Sequence, residues 1–127
     1  VGLIGRAEVV ESVRRMRAAT DLPIVVDADT GYGSEAGAWL AVRELEAVGA
    51  NAVQIEDQVS PKRCGHMEGK EVIPTAEMVL KVRAAVAASF DRILSREADV
   101  ARGEGRARGE DETLAPDRFG HFVYLSR

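Results

Sequence analysis

Two short apolar runs, separated by a single helical segment, constrain this chain more than any other feature. Ile24, Val25 and Val26 form an unbroken β-branched run after Pro23, and "ANAVQIED" over residues 50–57 supplies the second. Between them, from about Glu35 to Val48, Trp39, Val42, Leu45 and Val48 recur at helical spacing, with Ser34 placed as an N-cap and Gly49 as a stop. Two strands joined through a helix pair in parallel, because an antiparallel hairpin needs only a few linking residues. An apolar run without alternation further predicts that the first strand is interior, covered on both faces.

The flanking segments extend the alternation. Ala7 to Ala19 carries Val9, Val10, Val13 and Met16 at helical spacing. A third helix is predicted from about Thr75 to Ala88, burying Met78, Val79, Val82, Ala85 and Val86, and "DRILSR" over residues 91–96 is a candidate third strand. Helix and strand in strict alternation predict an α/β fold with a parallel sheet or barrel, in which site residues gather at the C-terminal strand ends. Those ends carry Asp27 and Asp29, then Glu56 and Asp57, then Ser95 and Arg96.

Close carboxylates repel and cost desolvation energy unless a cation, a ligand or a hydrogen-bond network satisfies them. Two readings of "DADTGYG" (residues 27–33) follow: a metal site, or an Asx-type turn in which Asp29 caps the backbone around Gly31. A second acidic strand end at Glu56 favours the metal. Hard carboxylate oxygens with room for water suit Mg²⁺ better than a caged Ca²⁺, and Cys64 with His66 is a poor zinc set.

Between the second strand and the third helix lies "QVSPKRCGHMEGKEVIP" (residues 58–74), polar, glycine-punctuated and without periodicity. Cys64 stands there between Lys62, Arg63 and His66, a positive field that favours a thiolate or proton donor over an inert buried thiol. His66 reads equally as a loop histidine bonded to backbone or as a site residue, and Lys70 and Glu71 as a solvated face. Arg96 suits a substrate carboxylate, or pairs with one of the rim acids.

Bulk properties narrow the partners. Seventeen basic residues against 21 acidic give a net charge of −4, with the basic residues scattered, so nucleic acid is not expected. No apolar run approaches the roughly 20 residues of a membrane span and no signal-peptide layout opens the chain, which predicts no membrane partner and a cytoplasmic location. One cysteine excludes an internal disulfide. Past residue 100 glycine and charge dominate, predicting an irregular tail over 101–127 behind a domain over 1–100, with "HFVYLSR" at the end as a short strand or a sticky tail.

The motifs "DADTGYG", "QIEDQ" and "PKRCGH", in this order and compact spacing, resemble the isocitrate lyase and phosphoenolpyruvate mutase superfamily, and within it the short methylisocitrate-lyase-like members. The resemblance implies a partial (β/α)₈ TIM barrel of about three βα units and a Mg²⁺-dependent carbon–carbon lyase acting on a small di- or tricarboxylate such as 2-methylisocitrate, with isocitrate or oxaloacetate as alternatives. It implies that Asp27, Asp29 and Glu56 serve the metal. Cys64 would protonate the succinate-like carbanion, Lys62 would lower the thiol's pKa, and Gly65, His66 and Arg96 would bind substrate carboxylates. Members that act on the phosphorus–carbon bond lack the cysteine-glycine-histidine motif. Full-length members are commonly homo-oligomeric.

The family's serine-glycine-glycine loop, catalytic tyrosine and further metal-shell aspartate have no counterpart in the 127 residues, and Glu97 stands where the family has threonine. A barrel needs eight strands and about 250 residues to close. The expectation is therefore a fragment, inactive by itself, or a small Mg²⁺- or anion-binding module.

Overall fold

The computed structural model describes residues 3–64, 67–101 and 122–126, and side chains as far as residue 89. In chain order the elements are α1 (Arg6–Ala19), β1 (Val25–Asp27), α2 (Glu35–Ala47), β2 (Ala52–Glu56), α3 (Thr75–Ala101) and β3 (Phe122–Ser126). The three strands form one parallel sheet in the order β1-β2-β3, with Val26 opposite Val53 and Ser126 opposite Glu56.

Period-two alternation decides what the sheet buries. Val26 and Ala28 from the first strand and Val53 and Ile55 from the second turn into the core, where they meet Ala38, Val42 and Leu45 of α2 and Met78, Ala85 and Ala88 of α3. Leu45 and Ile55 have no exposed surface. α2 and α3 pack side by side, and Val13 anchors α1 to the same core.

A polar clamp sets the opposite, N-terminal end of the sheet. Asn51 Oδ1 accepts from the Ile24 backbone N–H at 2.9 Å and from Arg17 Nη2 at 2.8 Å. Arg17 also donates to the Gly49 carbonyl through Nε and Nη2 and to the Thr20 carbonyl through Nη1, so the last turn of α1 supports the turn entering β2. Gly49 takes φ +103° there, the left-handed region that stops α2.

Four expectations change. β1 is parallel but lies at the sheet's edge, and Val25 is 66% exposed, because alternation turns it to the face on which no described element packs. Residues 91–96 continue α3 instead of forming a strand. From Ala76 to Arg102 there is neither glycine nor proline, so nothing reverses the chain and helix propensity carries on. The buried stripe of α3 runs through Met78, Lys81, Ala85 and Ala88, leaving Val79 and Val86 exposed. The third strand is β3, the short strand that "HFVYLSR" offered as one of its two readings, within the tail expected to be irregular; residues 102–121 lie outside the described residues. Among the described residues no helix is long and apolar enough to cross a membrane.

Candidate functional site

The "DADTGYG" stretch is a turn braced from three sides. β-pairing runs past the end of β1, with the Ala28 N–H donating to the Gln54 carbonyl at 2.9 Å and the Glu56 N–H to the Asp29 carbonyl at 2.8 Å. The chain then bends sharply: Asp29 and Tyr32 adopt φ +52° and +55°, a conformation costly outside glycine and found where surrounding structure enforces it. α2 presses on the bend from one side. A Cβ at Gly37 would stand 2.5 Å from the Tyr32 carbonyl oxygen. From the other side α3 contributes Lys81, buried, whose Nζ donates to the Thr30 carbonyl at 3.2 Å.

A capped turn is present, and the cap is Asp27, not Asp29: Asp27 Oδ1 accepts the Asp29 N–H at 2.8 Å. One oxygen of each of the three carboxylates faces a cation. Lys62, from the loop after β2, places Nζ 2.6 Å from Asp27 Oδ2, 3.1 Å from Glu56 Oε1 and 3.2 Å from Asp29 Oδ1. Only 11% of its side chain is exposed. Burial by itself would push the Lys62 ammonium down, but the hydrogen bonds it donates to Asp27, Glu56 and Asp29 outweigh this and hold the group well above its ordinary value. Lys62, expected to act on the thiol, thus gives its ammonium to the rim.

Gln58 organises the loop and was missed in the sequence. Its Nε2 donates to Glu56 Oε2 at 2.7 Å and to the Arg63 carbonyl, and its Oε1 accepts the Arg63 N–H. Antiparallel bonds from Val59 to Glu71 and from Ile73 to Asp57 close the loop's base. Cys64 lies on this loop and is exposed. Gly65 and His66 lie outside the described residues.

Arg96 falls within α3, away from any strand end, and its side chain is not described. The tripeptide Leu-Ser-Arg occurs twice, at 94–96 and at 125–127, and the strand is formed by the second copy. Ser126 pairs with Glu56, and Arg127, next in sequence, lies outside the described residues.

Tyr32 completes the rim. Its hydroxyl is buried without a partner among the described residues, beside a cavity of about 70 Å³ lined by Ile4, Asp29, Thr30, Ser60 and Lys62. Burial, then the charges of Asp29 and Asp27, push the phenol up, with Lys62 opposing. A larger cavity of about 750 Å³ lies between the loop and α3, lined by Val72, Ile73, Met78, Val79 and Val82 together with the polar Asp57, Gln58, Lys70, Thr75 and Arg83.

The donor set at the rim is oxygen-only and anionic, the chemistry Mg²⁺ takes. The position among the oxygens belongs to Lys62, and as they stand the described residues include no group of three or more His, Cys, Asp or Glu side chains that could hold a metal ion.

Residues 2–104 match the phosphoenolpyruvate phosphomutase family. Over 107 residues the chain is 44% identical to a probable 2-methylisocitrate lyase of Corynebacterium glutamicum, an alignment that covers 83% of this chain and 35% of that protein. Over 85 residues it is 51% identical to the petal death protein of Dianthus caryophyllus, covering 66% of this chain and 27% of that protein. The crystal structure of a 2,3-dimethylmalate lyase superposes with a TM-score of 0.68 at 34% identity, covering 73% of this chain and 31% of the other. The chain spans about a third of the length of the curated relatives it matches. Its matched residues and the fold they build agree: the chain belongs to the phosphoenolpyruvate mutase and isocitrate lyase superfamily.

Proposed function

We propose that this chain supplies the metal rim and the cysteine loop of a Mg²⁺-dependent carbon–carbon lyase that cleaves 2-methylisocitrate, or a closely related 2-hydroxy acid, to pyruvate and succinate. One observation carries the reading: the carboxylates of Asp27, Asp29 and Glu56, from two successive strand ends, converge within 2.6 to 3.2 Å of a single cationic centre. Relatives named 2-methylisocitrate lyase support the substrate class, and the cysteine-glycine-histidine loop favours carbon–carbon over phosphorus–carbon chemistry. The strand face bearing Asp27, Gln54 and Glu56 is the one a (β/α)₈ barrel would turn inward.

In this reading Asp27, Asp29 and Glu56 hold Mg²⁺, directly or through water. When bound, the ion supplies Lewis acidity to the oxygen of the substrate carbon that becomes the pyruvate carbonyl. As the substrate 2-hydroxyl loses its proton to a base and its carbon–oxygen bond becomes the pyruvate carbonyl, the electron pair of the broken carbon–carbon bond passes to the succinate half, where the Cys64 thiol would donate the proton that quenches it; none of the residues assigned above is that base. Gly65 and His66 follow on the same loop as donors to substrate carboxylates. Arg96 is the residue that the family resemblance assigns to hold a further carboxylate in a bidentate pair.

The experiment is release of pyruvate from 2-methylisocitrate by the purified chain with Mg²⁺ or with a chelator, alongside Asp29→Asn and Cys64→Ser. The chain by itself lacks the family's tyrosine and serine-glycine-glycine loop and is expected to release none; Mg²⁺-dependent pyruvate that both variants abolish would show that it is active alone and uses both the rim and the thiol. No pyruvate above the chelated control would refute activity of the chain, and pyruvate unaffected by Asp29→Asn would refute the metal assignment.

A further inference from the structure

An ammonium at the centre of a metal-type oxygen set is itself informative. Lys62 Nζ lies within 2.6 to 3.2 Å of one oxygen from each of the three carboxylates assigned above to Mg²⁺. Magnesium binds oxygen at about 2.1 Å, so a metal held by any of these oxygens would stand within about 5 Å of Nζ. Two cations at such a separation, one of them divalent, repel. The ammonium cannot keep the oxygens that a metal binds directly.

Its placement also decides what moves. Lys62 ties its loop to the end of β1, through Asp27 and Asp29. The described hydrogen bonds of Gln58, Val59 and Arg63 stay within the loop or reach Glu56 of β2. Asp27, with 52% of its side chain exposed, leaves the cluster accessible to a cation from solvent.

We propose that Lys62 is the resident counter-cation of the metal-free rim, that a divalent cation enters by displacing it, and that the displacement frees the loop carrying Cys64 from β1. The inference rests on the metal reading given under the proposed function. Lys62 is then a positioning residue: it holds the acidic ends of β1 and β2 together before metal arrives, and it makes the position of the cysteine loop depend on metal occupancy. Mutual repulsion of three carboxylates would otherwise oppose the sharp turn at Asp29.

Site-resolved acetylation of the full chain tests the displacement without any activity readout. Lys62 and Lys70 are mapped by mass spectrometry after brief treatment with an acylating reagent, in MgCl₂ and in NaCl of equal ionic strength. Lys62 labelling is expected to rise several-fold relative to Lys70 when Mg²⁺ is present. Titration calorimetry with Mg²⁺ alone is expected to show Lys62→Met binding about tenfold tighter than wild type, since a competitor with three ion pairs is gone. Mg²⁺ binding with unchanged Lys62 labelling, or with equal affinity for the two chains, overturns the displacement and leaves the metal site standing. No Mg²⁺ binding by either chain overturns both. Should Lys62→Met fail to fold, labelling of the wild-type chain decides alone.

Discussion

Replacing Gly37 by alanine sets two calculable effects against each other. Gly37 lies in the first turn of α2, where alanine gains roughly 0.5 to 1 kcal/mol over glycine from backbone entropy. The new Cβ would stand 2.5 Å from the Tyr32 carbonyl oxygen and 2.9 Å from that of Gly31, about an ångström short of ordinary contact in the closer case. Both obstacles are backbone, in a bend already holding Tyr32 at φ +55° and tied to Lys81, so no rotamer change relieves them. Overpacking of this kind costs about 1 to 3 kcal/mol. The net expectation is a loss of about 1 to 2 kcal/mol, which at a urea slope of roughly 1 to 2 kcal/mol/M lowers the denaturation midpoint by about 1 M. Gly33→Ala is the contrast. Nothing stands within 4 Å of its Cβ, and its cost arises only from φ +121°. Urea titration of both variants with an unchanged slope is the assay. A Gly37→Ala midpoint equal to or above wild type would refute the claim that α2 is pressed against the acidic turn.

Other perturbations reach the same structure from different sides. Leu45→Ala, at a residue with no exposed surface, should cost about 2 to 5 kcal/mol; a loss below 1 kcal/mol in the same titration would mean that α2 is not the centre of the core. Asn51→Ala strips the Ile24 N–H and Arg17 Nη2 of their shared acceptor and should cost about 1 to 3 kcal/mol, with hydrogen exchange at Ile24 accelerated; unaltered exchange there would contradict the clamp. Folding raises the pKa of both Lys62 and Tyr32, so each contribution is complete below the ordinary values of 10.5 and 10.0 and is lost as pH climbs through the raised ones. Stability should therefore fall on the alkaline side of about pH 10, and less steeply in Lys62→Met; identical alkaline slopes for the two chains would argue against a proton held by the rim.

How much of this was legible in the sequence depends on how local each signal is. β1, α2 and β2 could be read because a β-branched run, an amphipathic period and a glycine stop coincide within 35 residues, although the Ser34 side chain makes no capping hydrogen bond. The end of α3 could not. "DRILSR" has the composition of a strand, but it follows helix-forming residues with no turn between, and the same Leu-Ser-Arg recurs where the strand forms. Exposure of Val25 was equally hidden, since an apolar run does not say which of its faces has a neighbour. Lys81 did leave a trace. It interrupts an apolar stripe at core spacing between Met78 and Ala85, a placement that calls for a buried acceptor, which the Thr30 carbonyl supplies.

At the rim the acids were legible and their partner was not. Asp27, Asp29 and Glu56 announce themselves as strand-end carboxylates, whereas Lys62 comes from an aperiodic loop 35 residues away from Asp27, where sequence shows only its neighbour Cys64. Reading a charge by its nearest sequence neighbour assigned Lys62 to the thiol; folding assigned it to the carboxylates because three charge-assisted bonds outweigh one through-space effect. The consequence reaches chemistry. A turn with two non-glycine residues in the left-handed region and three converging carboxylates is expensive twice over, in backbone strain and in repulsion. Stability alone would be better served by asparagine or glycine at position 29. On the metal reading proposed above, this cost has a use: the cluster holds a divalent cation part of the time, with a tethered lysine filling it for the rest.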